Sequence, residues 1–133
     1  MAKAFSKKEY EALAAFRFAL RQFLHKREEA AQAAGITPQQ HQAMLVIMGA
    51  EGKDSISIGE LAQQLLIRHH SAVGLVNRME LHDLVRRSTG KDRRFVFLSL
   101  TEHGLDVLEK MTVSHRDEIK SMSTDLRELL NKI

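Results

Sequence analysis

The chain has 133 residues, 44% of them hydrophobic and 28% charged, which fits one globular domain and excludes a disordered chain. It has no cysteine, which excludes a disulfide framework, a Cys-based zinc site and a thiol redox switch. The net charge of +3 does not by itself imply nucleic acid, and without a long apolar run or a leader-like start the expected location is the cytoplasm, with no membrane partner.

Ser6 and Glu9 form a capping-box pattern. Tyr10, Leu13, Phe16, Leu20, Phe23, Leu24 and Arg27 follow with Ala-rich filling until Gly35, which predicts one long helix. Roughly 28 residues span about 42 Å, against about 36 Å for a compact chain of this size. The helix therefore overhangs its own domain, and its apolar stripe calls for a second subunit. Thr37, Pro38 and Gln40 open the next helix, whose core residues are Ala43, Met44, Ile47 and Met48. Residues 49–54 read as a turn, and Ser55 and Ile56 as a short strand joining a later hairpin. Ser57 and Glu60 suggest another capping box, opening a helix with Leu61, Ala62, Leu65 and Leu66, and residues 67–69 read as the turn after it.

Ala72, Leu75, Val76 and Met79 then make one apolar stripe of helical period, which faces the core. On the outer face lie His70, Gly74 and Asn77, flanked by Ser71, Val73 and Arg78, side chains able to read base edges. Gly74 in a helix interior loses up to ~1 kcal/mol relative to Ala. Close backbone approach to a ligand and close packing on a neighbouring helix are equal explanations for it. Residues 84–88 and 94–100 are strand-like, and residues 89–93 join them in a basic tip. Helix, hairpin and tip in that order make a winged helix-turn-helix. Residues 68–94 hold seven Lys or Arg against three acids, whereas the remainder holds 13 basic and 14 acidic residues. All the excess positive charge thus sits in this probe, as phosphate binding requires.

After the hairpin, Thr101 can cap a helix carrying Leu105, Leu108, Met111, Ile119 and Met122, with His115 interrupting the stripe. Residues 121–124 read as a kink or break, and Asp125 as the start of a last helix bearing Leu126, Leu129, Leu130 and Ile133. So apolar an end is rarely left in water. The fold expected is mainly α with a small antiparallel β-hairpin (α+β). One domain is expected, with residues 1–35 and 101–133 as a helical dimerisation layer around a winged-helix lobe at 36–100.

No phosphate-cradling glycine motif, H-E-x-x-H or G-x-S-x-G is present, so no enzyme is expected. The seven histidines raise metal binding, but His69 and His70 lie on different helix faces and no pair stands at i, i+4. No metal or other cofactor is expected.

The runs SIGELAQQL, SAVGLVNRMEL, LVRR, DRR and LSLTEHG resemble the DNA-binding core of the MarR family of bacterial transcription regulators, most densely over residues 57–104. The resemblance implies a homodimer on a double-stranded DNA operator. It also implies a small, commonly aromatic acid bound between dimer layer and DNA-binding lobe, and a wing arginine, here Arg93, entering the minor groove beside Asp92. Phe16 and Phe23 are candidates to line that pocket, although ordinary core is the simpler reading of both. The residues expected on DNA are Arg68, His70, Ser71, Asn77, Arg78, Lys91, Asp92, Arg93 and Arg94. One departure is Asp83, where the family usually has the Gly of a left-handed helix cap; Asp tolerates that conformation better than most residues. The function expected is a homodimeric repressor relieved by a small ligand. Its rivals are a winged-helix module for protein contacts and a metal-sensing regulator.

Overall fold

Capping chemistry sets where the helices begin. In the computed structural model, which describes residues 4–53, 55–90 and 93–133, Ser6 and Glu9 exchange side-chain to backbone hydrogen bonds and open α1 (Lys7–Ala33). Thr37 and Gln40 do the same for α2 (Pro38–Met48). At α3 (Ile58–Leu65) the expected box is only half made: Ser57 Oγ accepts from the Glu60 N–H, but the Glu60 carboxylate turns to Ser57 Oγ and Lys53 Nζ, each at 3.3 Å. Ser57 belongs at once to β1 (Ile56–Ser57), so its backbone is tied to a sheet. Next come α4 (His69–Leu81), β2 (Val85–Thr89), β3 (Val96–Leu100) and α5 (Glu102–Leu130). His69, expected in the turn, is the first residue of α4, and both wing strands begin later than their apolar runs suggest.

Three helices end in the same way, with a left-handed residue that turns the chain and lets its own N–H and that of the next residue reach back to otherwise orphaned carbonyls. Gly35 (φ +79°) does so after α1, Leu66 (φ +57°) after α3 and Asp83 (φ +57°) after α4. In each case the next residue bonds five positions back: Ile36 to Ala31 O at 3.0 Å, Ile67 to Ala62 O at 3.0 Å, and Leu84 to Met79 O at 2.9 Å. The expectation for Asp83 therefore holds. Leu66 was not anticipated in this role; a non-glycine residue there costs about 1 kcal/mol, and its side chain is left almost wholly in solvent.

The three strands pair antiparallel in the order β1-β3-β2, so the segment at Ile56 does join the hairpin. Leu98 on the central strand is fully buried, opposite Ile56 on one side and Arg87 on the other. It meets Met44, Ile47, Leu61, Leu75, Val76, Met79 and Leu84 in one core, to which α4 contributes the whole predicted stripe.

The terminal helices are different. α1 buries only Ala12 and Ala31, although at 27 residues it is about 40 Å long. It packs along α5, which runs unbroken through residues 121–124, contrary to the predicted kink. Those residues include neither Gly nor Pro, and Thr124 Oγ1 donates to Lys120 O one turn back, which satisfies the hydroxyl without interrupting the helix. His115 does not interrupt the inner face either; it is half-buried on it.

Candidate nucleic-acid interface

α4 is held by its buried stripe, so the opposite side of the helix must face out. Arg68, His70, Ser71, Asn77 and Arg78 are all exposed there. Arg68 caps the helix with its backbone alone, and no side chain bonds the first-turn N–H groups, which leaves that end electropositive. Among the described residues, a methyl group built on Gly74 would meet only Arg78 Nη1, at 3.5 Å. Close packing on a neighbouring helix is thus removed as the explanation of Gly74, and an open strip of backbone between Ser71 and Arg78 remains.

The wing stands beside this face. Its register runs from Val85 opposite Leu100 to Thr89 opposite Val96, and Arg93 and Arg94 are exposed in the turn that joins the strands. Lys91 and Asp92, also expected on DNA, lie outside the described residues.

Strand alternation puts Val85 and Arg87 on the side of the hairpin that faces α4. Val85 is buried, and the half-buried Arg87 reaches back to the helix. Its Nη2 donates to Asn77 Oδ1, and its Nε lies 2.5 Å from Glu80 Oε1. Asn77 and Glu80 are one turn apart on α4, so the two elements of the probe are joined by a side-chain clamp. Arg87 and Glu80 were not among the expected site residues. The available signal was the alternation itself, since an arginine two residues after a core valine on a strand must find an acceptor on the same side.

A second joint ties the probe to α5. Thr101 Oγ1 accepts from the Gly104 N–H at 2.9 Å and donates to Asp83 O, while the Thr101 N–H bonds Leu84 O at 3.1 Å. A Cβ on Gly104 would lie 2.1 Å from Leu84 O. The L-T-x-x-G run therefore has a mechanical reason: it locks the end of α4 and the start of the wing against the first turn of α5.

Between α1, α2 and α5 lies a cavity of about 290 Å³, lined by Phe23, Arg27, His41, Leu45, Met111 and Ile119 among others. Arg27 is mostly buried, bonds Glu118 Oε2 at 2.6 Å, and lies over the Phe23 ring with its guanidinium carbon 5.3 Å from the centroid. His115 Nδ1 is 3.6 Å from the same Glu118 oxygen. Burial, and then the charges of Arg27 and His115, hold the His41 imidazole below its ordinary pKa. Phe23 lines this cavity and Phe16 does not; both are half-buried.

A family model described as the MarR family matches residues 34–94. Among solved structures, AbsC of Streptomyces coelicolor, a MarR family transcriptional regulator, is 27% identical, with a TM-score of 0.76 over 94% of this chain and 84% of that one. A MarR variant from E. coli complexed with operator DNA is 19% identical, with a TM-score of 0.69 over 85% of this chain and 80% of that one. An S. aureus MepR variant bound to an oligodeoxyribonucleotide is 20% identical, with a TM-score of 0.69 over 97% and 90%. No match was found among curated proteins. The winged-helix lobe at residues 34–94 is thus similar in sequence to the MarR family, and the fold over nearly the whole chain is similar to that of MarR family regulators such as AbsC.

Proposed function

We propose that this protein is a homodimeric, sequence-specific DNA-binding transcription regulator, and a repressor released by a small acidic ligand. The observation that carries the reading is the outward face of α4. Its exposed Arg68, His70, Ser71, Asn77 and Arg78 stand beside a wing turn bearing Arg93 and Arg94, in the segment that holds all the excess positive charge. With Lys91 and Asp92 these residues are assigned to the DNA: α4 to the major groove, Arg93 to the minor groove. Two structural relatives, complexed with operator DNA and with an oligodeoxyribonucleotide, support DNA as the partner.

Dimerisation is assigned to the terminal helices. Among the described residues, nine of the fourteen exposed large hydrophobic ones, Phe18 and Val113 among them, lie in residues 4–35 and 101–133, a density that a monomer in water does not sustain. A two-fold dimer then offers two α4 helices to half-sites about one DNA turn apart. The cavity beside Arg27 is assigned to the ligand. A mostly buried guanidinium over an aromatic ring suits a planar carboxylate, which would compete with Glu118 for it.

A mobility-shift titration on the DNA flanking its own gene, repeated at several salt concentrations, tests the main reading. Salt-sensitive, sequence-selective retardation supports it, and no retardation at low salt leaves the rival of a protein-contact module. Ligand release is tested by calorimetry with aromatic acids on the free dimer and on the complex. A ligand that lowers DNA affinity must bind the free form more tightly by the same factor.

A further inference from the structure

We propose that Arg87 makes Asn77 a reader of guanine rather than adenine, so that a wing-strand residue which itself contacts no base sets the preference of the recognition helix. The inference rests on the assignment of α4 to the major groove.

An asparagine amide has an acceptor end and a donor end, and a free one pairs with adenine by accepting from N6–H and donating to N7. Asn77 is not free. Arg87 Nη2 donates to its Oδ1, and because a guanidinium offers only donors, the amide can stand only with its oxygen towards Arg87 and its NH2 group turned away. Glu80 Oε1, 2.5 Å from Arg87 Nε, holds the guanidinium from the other side, so the arginine cannot swing off without breaking two contacts. Asn77 is exposed, and its amide turns a pair of N–H donors away from Arg87, while the second lone pair of Oδ1 lies beside the guanidinium charge, where a further donor is disfavoured.

Donors look for acceptors. Guanine presents two on its major-groove edge, O6 and N7, whereas adenine presents N7 beside an amino group and cytosine presents only an amino group. The amino group of adenine would bring hydrogens towards the positive charge of Arg87, beside the one lone pair that Oδ1 has left. The O6 of guanine in the same place would be attracted by that charge. Both effects favour guanine, and together they amount to roughly the discrimination of one good base contact, about tenfold or more.

The test is selection from a random duplex pool by the full-length parent and by Asn77→Ala, Arg87→Met and Asn77→Asp. The parent is expected to select guanine at the half-site position whose preference disappears in Asn77→Ala. Arg87→Met keeps the apolar stem and frees Oδ1, and should shift that position towards adenine by about tenfold relative to guanine. Asn77→Asp still accepts from Arg87 but has no donors; it should melt at or above the parent temperature while losing the guanine preference, a separation that a purely structural clamp does not produce. Adenine selected by the parent at that position overturns the inference, as does an unchanged guanine preference in Arg87→Met or Asn77→Asp, or an Asn77→Ala variant that alters no position. If the parent selects no sequence at all, the DNA-binding assignment fails as well.

Discussion

Gly74→Ala separates stability from binding, because the same methyl group has opposite effects on the two. Within a helix interior, Ala is favoured over Gly by about 1 kcal/mol, provided that the new Cβ finds room. Here it finds only the end of the Arg78 side chain at ordinary contact distance. For a chain of 133 residues the unfolding entropy is about 0.28 kcal/mol/K, so 1 kcal/mol raises Tm by about 3–4 °C. If the open strip at Gly74 is where the backbone of α4 comes close to the DNA, the methyl holds the helix away from the groove. The loss should then reach at least one base contact, about 1–3 kcal/mol on the operator and much less on random duplex. Thermal melts at one protein concentration, with titrations on both duplexes, measure the two halves. A fall in Tm would mean that the surface at Gly74 is covered, and a raised Tm with parent-like operator affinity would remove close approach as the reason for the glycine.

The same change at Gly104 should act in the opposite direction: with a Cβ 2.1 Å from Leu84 O, backbone must move, and urea unfolding should show a loss of about 3 kcal/mol, whereas an unchanged midpoint would refute the joint. His41 titrates below its ordinary value in the fold, so the unfolded chain takes up a proton first as the pH falls below about 6.5, and stability decreases until the lowered folded pKa is passed. Melts of the parent from pH 7.5 to 5 should therefore fall more steeply than those of His41→Gln, with Arg27, His115 and Glu118 unchanged in both; equal slopes would exclude His41 as the cause. Arg93→Ala should weaken operator and random duplex alike and flatten the salt dependence by up to about one unit, while parent-like titrations would mean that Arg93 is only a solvated charge.

What could be read from the sequence was local. Ser6 with Glu9 and Thr37 with Gln40 act within one turn, and Gly35 and Asp83 stop helices through their own backbone preferences, so each was visible in a window of a few residues. The stripe of Ala72, Leu75, Val76 and Met79 has a period, and a period assigns a face without knowledge of the partner. The predicted break at residues 121–124 does not occur, since Ser and Thr favour turns only where no packing holds the helix. In a long helix packed along α1 the Thr124 hydroxyl bonds back to the preceding turn, and packing outweighs propensity.

What remained hidden depends on contacts between distant elements. The probe appeared as two independent halves, helix and wing, because the pattern of each could be read separately. Arg87 counts as charge in the sequence, yet it lies across Asn77 and Glu80, ten and seven residues earlier on another element. Likewise Arg27 read as the end of an apolar stripe, although it is a buried cation whose partner, Glu118, is 91 residues away. A charged side chain on an inward face is costly unless it is paired. Its position in the pattern therefore shows that a partner must exist, while only the fold shows which one. For the proposed reading of DNA this difference matters more than the missed strand ends: an isolated Asn77 would be expected to seek adenine, and the same residue clamped by Arg87 turns its N–H donors outward and keeps its oxygen beside a cation.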